Sequence, residues 1–496
     1  VCNKKKARKM GIKMWLFAAE AVGLTTAYIF TYALPAMGSV SLYGAFMVCY
    51  FVVQTTTSFW NDRVMRSLPP VSTVSVRIDK DEVLEEGFRE DNKKKNVVLL
   101  VVGHRENPEY WKRCLLSVCR LDPSNLLKVY VCIDGVEVED RPMYETARDT
   151  LLSEQPSLPF GIEIYCAEKR GKRGVMYFGI ETIRHDVHTR QDEILVAATD
   201  SDTELRPNAL IELEKCLESH PNNGCATGLL DIYNMEDGIL PKLINARYHY
   251  AFAMERACLS YFGCMTCCSG PLSMYRLRAL PETVMKRFIT QSLAGVPCEP
   301  GDDRHLTNLV MAQGYFSRQT SYAVAGTEAP ETMMRFLLQQ LRWSRSFYRE
   351  IKWQLECLDH QSFFLGISTV YESLFPWFVV VWMLNLLFLP HPPQVYAQGI
   401  ALSVLVLSIR TLFLYLRFRQ CNALYNILYY PVYFLWLLPT KVFAALTLLN
   451  NTWVTQSRDT KKLSCSRDAL VYFGFLGTWQ VMLVVGISWT VYRLVV

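Results

Sequence analysis

The chain has little net charge of either sign: 52 Lys and Arg against 47 Asp and Glu leave +5 over 496 residues. Lys4-Lys-Lys-Ala-Arg-Lys9 concentrates positive charge just before the first apolar run. Because this cluster directly precedes an apolar run, it marks the cytoplasmic flank of a membrane span rather than a nucleic-acid surface, and no nucleic acid is expected among the partners. A disulfide framework is missing too. The 16 cysteines are scattered without the spacing of a small secreted domain, which fits reduced thiols in the cytosol. Cys264-Met-Thr-Cys267-Cys268 has no second Cys/His pair nearby, so reduced thiols rather than a zinc site are expected. No signal-peptide cleavage site is present near Val1, and the first apolar run is expected to stay as an anchor.

Apolar residues are abundant instead: 51% of the chain, with 25 Phe, 26 Tyr and 11 Trp. They are concentrated at the two ends, which predicts membrane spans around a polar insert. Residues 1–60 read as two N-terminal spans, Trp15 to Met37 (interrupted by Glu20) and Leu42 to Phe59. Residues 61–330 read as a soluble domain and 331–360 as amphipathic interface helices. That second assignment rests on Thr332–Trp353, where Arg335, Arg342, Arg345, Arg349 and Lys352 alternate with aromatics. In 361–496 the apolar runs are Phe363–Leu389, Val395–Leu416, Ala423–Leu449 and Leu470–Val495. Four simple crossings would put Arg458, Lys461, Lys462 and Arg467 outside, against the positive-inside rule. Pro431 and Pro439 break the third of these runs, so it is expected to be partly interfacial or re-entrant.

Within the soluble domain, short β-branched runs end in polar residues. Val97–Val102 leads to Gly103-His104-Arg105, Lys128–Ile133 to Asp134, Ile162–Tyr165 to Glu168-Lys169, and Ile194–Ala198 to Thr199-Asp200. Helical stretches such as Pro108–Arg120 and Arg173–Arg184 lie between them. This alternation predicts a mostly parallel sheet covered on both faces, with ligands beyond the carboxyl ends of its strands.

The motifs fall at those ends. Asp200-Ser-Asp202 presents two carboxylates suited to a hard divalent ion, Mn²⁺ or Mg²⁺, that holds a diphosphate leaving group. An ordinary solvated turn has the same residues, and Asp134 ending an earlier strand tips the balance by offering hydrogen-bond acceptors to a nucleoside. Lys169-Arg-Gly-Lys-Arg173 places cations at a helix start, with Lys169 and Arg173 as candidate anion ligands. In Gly301-Asp302-Asp303-Arg304 one Asp can act as a general base while the other pairs with Arg304 or caps the helix. Gln339 and Arg342 are three apart on one helix face, where Arg342 can stabilise a departing diphosphate. The Trp343 indole can stack on a sugar or anchor at the interface. Cys268-Ser269-Gly270-Pro271 offers a tight turn able to approach an acceptor.

Together these strings resemble the processive family 2 glycosyltransferases and, more closely, the hyaluronan synthases. The specific stretches are Lys169–Tyr177, Cys267–Arg276, Gly301–Asn308 and Gln339–Arg345. Cellulose and chitin synthases share the outline but carry Glu-Asp where Gly301-Asp302-Asp303 stands. The resemblance implies an α/β GT-A-type domain inserted between transmembrane helices, with Mn²⁺ or Mg²⁺ as cofactor. It implies a plasma-membrane enzyme with a cytosolic catalytic domain that polymerises UDP-GlcNAc and UDP-glucuronate, the nascent polysaccharide leaving through the enzyme's own channel across the lipid bilayer. A chitin-type synthase using UDP-GlcNAc alone is the alternative. By position, Asp134 would contact the uridine, Asp202 the metal with Asp200 nearby, and Asp303 would be the base, with Asp302 beside it. Arg345 joins the nucleotide-binding set, and Trp343 would floor the acceptor site with Cys268 and Cys298 close. Trp453-Val454-Thr455, followed by Arg458, would be a gating loop, although Val454 replaces the family's glycine.

Overall fold

The computed structural model describes residues 42–69, 95–154, 158–419, 421–450 and 467–496. The Trp15–Met37 run with Glu20, and the proposed gating residues Trp453, Thr455 and Arg458, lie outside the described residues.

The predicted strands form. β1 (Val97–Gly103), β2 (Leu126–Asp134), β3 (Gly161–Ala167) and β4 (Leu195–Asp200) pair in parallel in the order β3-β2-β1-β4. Every residue of β1 is buried, as a strand covered on both faces requires. Val97, Leu99 and Val101 join one core and Val98, Leu100 and Val102 the other, because successive side chains point to opposite faces. Helices α1 (Leu42–Arg66), α2 (Pro108–Cys119), α3 (Arg141–Glu154) and α4 (Gly171–Asp186) precede or connect these strands.

Beyond β4 the sheet is mixed. β5 (Glu204–Leu205), β6 (Asn223–Ile232), β7 (Ser273–Arg276) and β10 (Phe316–Thr327) continue it as β4-β7-β6-β10-β5, with β7 antiparallel to both neighbours. A separate small hairpin is formed by β8 (Ser292–Leu293) and β9 (Val296–Pro297). The parallel arrangement expected from the sequence therefore holds for the first four strands and for β6 with β10. The reversal of β7 matters for the site. Its first residue, Ser273, pairs with Ala198, so the preceding turn Cys268–Pro271 lies over the carboxyl end of β4. Thr199 Oγ1 seals the turn by donating to the Pro271 carbonyl at 2.8 Å.

After α5 (Ala209–Glu218), α6 (Ile239–Tyr250) widens into a π-turn, Ala251–Arg256, and runs on into α7 (Ala257–Tyr261). α8 (Glu282–Ile289) and α9 (Asp302–Ala312) follow, then α10 (Met333–Cys357). The α10 segment, expected along the membrane interface, is one 25-residue helix with one side buried. Phe336, Leu337, Leu338 and Leu341 pack with Tyr429, Phe443, Tyr472 and Leu476 of the apolar C-terminal helices, while Trp353 and Cys357 pack with the catalytic core. α10 is thus the joint between the two parts.

Among the described residues four helical segments are long and apolar enough to cross a membrane: Phe364–Phe388 (α11), Pro393–Phe418 (α12), Asn422–Leu446 and Arg467–Val495. The third runs as α13 (Tyr425–Val432, with Pro431 inside it), a π-turn Tyr433–Leu437 and α14 (Leu438–Leu446, with Pro439 in its first turn). The last is α15. α1 runs past the expected boundary to Arg66, and its end docks on the catalytic domain. There Asn61 Nδ2 donates to the Gln319 carbonyl at 3.2 Å, and Asp62 pairs with Arg417 of α12.

Candidate active site

Because β1 to β4 run in parallel and in register, their last residues share one edge: Val102 is level with Asp200, Gly103 with Ile133, and Asp134 with Ala167. At that edge Asp134 is buried, and its Oδ1 accepts the Arg170 backbone N–H at 2.8 Å. His104 Nδ1 lies 2.6 Å from the Asp134 carbonyl oxygen. This contact fixes the loop after β1 against the loop after β2.

The centre of the site is Lys172, one residue into α4. Its Nζ lies 2.8 Å from Asp200 Oδ1 and 3.0 Å from Asp302 Oδ2, which joins the end of β4 to the start of α9. Burial alone would push the Asp302 carboxyl up, but Lys172 and Arg173 hold it below the usual range. Gly270 closes this cluster: a Cβ there would stand 2.8 Å from Asp200 Oδ2 and 3.1 Å from Lys172 Nζ. Asp202 lacks such close compensation. Burial, reinforced by Asp200, Glu106 and Glu328, pushes its carboxyl up to about 7. Among the described residues no three His, Cys, Asp or Glu side chains converge on one point. Asp200 and Asp202 suit a hard divalent ion that completes its shell with substrate phosphates, and the poorly compensated negative charge on Asp202 fits a cation there.

The loop before α9 is held by two buried guanidiniums. Arg173 Nε donates to the Glu299 carbonyl at 3.0 Å, and Arg349 Nη2 to the Pro300 carbonyl at 3.2 Å. Gly301 then turns the chain with φ +95°, a conformation that favours glycine, and a Cβ on it would collide with the Ser346 hydroxyl of α10. Gly301→Ala is therefore expected to cost about 2–4 kcal/mol, from left-handed strain plus overpacking, seen as a lower unfolding midpoint in detergent. A midpoint equal to wild type would refute that account. The turn delivers Asp303, whose Oδ1 accepts the Arg304 backbone N–H at 2.8 Å and whose Oδ2 is 3.4 Å from the Cys267 thiol. On α10, Arg342 is buried enough to lower its pKa, against the pull of Asp302, Asp303 and Asp200. Trp343 is 37% exposed, with its ring 6.4 Å from that of Tyr248.

Residues 95–346 match the family model described as Glycosyltransferase like family 2. Hyaluronan synthase 1 of Xenopus laevis is 30% identical over 92% of this chain and 79% of its own length. This chain belongs to the hyaluronan synthases. Hyaluronan synthase 3 of Mus musculus is 29% identical, covering 96% of this chain and 88% of that protein, and hyaluronan synthase 2 of Homo sapiens is 28% identical over 95% and 86%. The synthase is a glycosyltransferase whose catalytic domain has the GT-A-like fold, with the apolar helices of a membrane protein beside it.

The synthase draws together Asp200, Asp302, Asp303 and Arg342 of the sequence-derived set, with Gly270 against them. Others are placed elsewhere. Arg345, read as a nucleotide ligand, is only 2% exposed and forks onto Asp468 of α15 at 3.0 and 3.1 Å, with Thr447 also accepting. Arg173 spends its guanidinium on the carbonyls of Glu299 and Phe288 and on Gln291, and Lys169 is an exposed residue before α4. Cys268, expected near the acceptor, is packed in the core, while its neighbour Cys267 faces Asp303. Ser269 accepts a hydrogen bond from Arg256, and Cys298 is buried at the end of the small hairpin. Gln339 is half-buried, one turn before Arg342. The Asp pair was expected to divide its roles through Arg304 or a cap. Instead Asp302 takes Lys172 and Gly301 caps α9. Lys172 and Cys267 were not singled out from the sequence, where each stands beside a residue of the same type.

Proposed function

We propose that this synthase polymerises hyaluronan processively, by inverting transfer from UDP-GlcNAc and UDP-glucuronate. The observation that carries the reading is the single cation, Lys172, shared by the donor-side carboxylate Asp200 and by Asp302, the neighbour of Asp303. Donor diphosphate and acceptor hydroxyl would meet within one side-chain cluster. Asp134 accepts from the nucleoside, and Mn²⁺ or Mg²⁺ held by Asp202 and Asp200 would supply charge to the diphosphate. Asp303 takes the proton from the acceptor hydroxyl as its oxygen bonds to the donor's anomeric carbon, while the bond to UDP breaks on the opposite face. Arg342 and Lys172 balance the leaving diphosphate. Trp343, partly exposed on the helix that joins the catalytic domain to the apolar helices, floors the acceptor and directs the product toward them. The catalytic domain is cytosolic in this reading, and the polymer crosses the plasma membrane through the C-terminal helices.

The test supplies purified protein in detergent with Mn²⁺ and each donor separately, then both. Polymer only with both donors, degraded by hyaluronidase, is expected; polymer from UDP-GlcNAc alone would establish the chitin-type alternative instead. The metal assignment has its own signature. Protons compete with a cation for a carboxylate whose pKa is near 7, so below that pH Mn²⁺ affinity should fall by up to about tenfold per unit. Calorimetric titration between pH 5.5 and 7.5 measures it, and a flat profile would remove Asp202 from the metal site.

A further inference from the structure

The two carboxylates that open α9 are held by different partners. Asp302 takes the Lys172 ammonium at 3.0 Å. Asp303 takes uncharged donors: the Arg304 backbone N–H at 2.8 Å on Oδ1 and the Cys267 thiol at 3.4 Å on Oδ2. The thiol belongs to the turn that also carries Gly270, and the residues on either side of it are fastened to the first turn of α9. On one side, Arg304 Nη1 donates to Thr266 Oγ1 at 3.2 Å. On the other, the Cys268 N–H donates to Thr307 Oγ1 at 2.8 Å, and that hydroxyl donates to the Asp303 carbonyl at 2.7 Å. Three successive residues of the turn are thus docked against the base and its neighbours. Cys267 is buried, and burial, reinforced by Asp303, pushes its thiol up to about 12 against the pull of Arg304 and Arg256. It stays protonated at neutral pH and is the donor in the contact.

We infer that Cys267 is a positioning residue for the general base: its thiol hydrogen bond fixes the rotation of the Asp303 carboxyl so that a free lone pair faces the acceptor hydroxyl. The inference rests on the assignment of Asp303 as the base in the reading above. Each carboxylate oxygen has two lone pairs, so the contacts at Oδ1 and Oδ2 leave accepting capacity on both. A strong donor to a carboxylate favours its charged form and opposes proton uptake. A thiol is a weak donor, so it sets the direction of the carboxyl while opposing uptake little. The ammonium that would oppose it most is on Asp302 instead. Proton transfer needs the accepting atom within hydrogen-bond reach and in line, so a freely rotating carboxyl lowers turnover without weakening donor binding.

The test uses full-length protein in detergent with Mn²⁺ and both donors, reading kcat as UDP release together with the KM of each donor. Cys267→Ala is expected to lower kcat roughly five- to twentyfold and to leave each donor KM within about twofold of wild type. Cys267→Ser restores a donor of similar shape and should recover most of the loss; Cys267→Val fills the space without donating and should not. A packing role would give the opposite order. In an Asp303→Asn background the further loss from Cys267→Ala should vanish, because the base it positions is already gone. Calorimetric UDP-GlcNAc binding reports whether each variant is folded, and either non-donating variant compared with Ser decides the matter if the other misfolds. Wild-type kcat in Cys267→Ala, Val matching Ser, or an undiminished loss in the Asp303→Asn background would overturn the positioning role. Asp303→Asn that turns over like wild type would sink the base assignment itself; an inactive Asp303→Asn beside a fully active Cys267→Ala would sink the positioning alone.

Discussion

Asp303→Asn is expected to lower polymer formation by about 10²- to 10⁴-fold, the range spanned by a positioned general base, while UDP-sugar binding persists. Asn keeps the shape of Asp and can still accept the Arg304 N–H through its oxygen, so α9 should start as before. What disappears is the capacity to take a proton from a sugar hydroxyl. The donor-side groups Asp134, Asp200, Asp202 and Lys172 are untouched, and calorimetric binding of UDP-GlcNAc should match wild type. Polymer synthesis at the wild-type rate by this variant would refute the assignment of the base.

Lys172→Met should be nearly as damaging for a different reason. Asp200 and Asp302 share one ammonium, and Asp302 is only 5% exposed. Without that cation, burial favours protonated Asp302, and the leaving diphosphate loses a positive neighbour. A loss of activity on the order of a hundredfold is expected. Stability should also fall by about 2–3 kcal/mol, less than for a fully enclosed pair because the lysine side chain is 27% exposed. Lys172→Arg should not rescue, since the larger planar fork must fit where there is no room even for a Cβ on Gly270 beside Asp200 and Lys172. A Lys172→Met protein with the wild-type turnover and unfolding midpoint would remove the lysine from the machinery.

Much of the fold was legible because its signals are local and strong. Val97–Val102 and Ile194–Ala198 are runs with few other options, and their polar ends became the site edge. The C-terminal runs became the expected helices, and the third carries a π-turn between Pro431, inside α13, and Pro439, in the first turn of α14. β7 was not legible. Four residues carry too little periodicity to announce a strand, and its antiparallel direction comes from slotting between β4 and β6. Yet that reversal brings Gly270 to Asp200.

Within the motifs, sequence located the string and tertiary packing chose the residue. Lys172 rather than Lys169 meets Asp200 because α4 begins at Gly171, which sets the direction of each side chain in its first turn. Cys267 rather than Cys268 reaches Asp303 because neighbouring residues of an extended turn face opposite ways. Arg345 is three residues from Arg342, but α15 presents Asp468 to it and removes it from the active site.

The amino-acid order by itself determined the chemical inventory and the division into an apolar frame and a polar insert, since composition and periodicity act over a few residues. Which carboxylate receives the lysine, which arginine is spent on structure and which is left beside the base were decided only when distant segments packed. Electrostatic pairing depends on distances of a few ångströms between groups more than a hundred residues apart, and no local pattern encodes those distances.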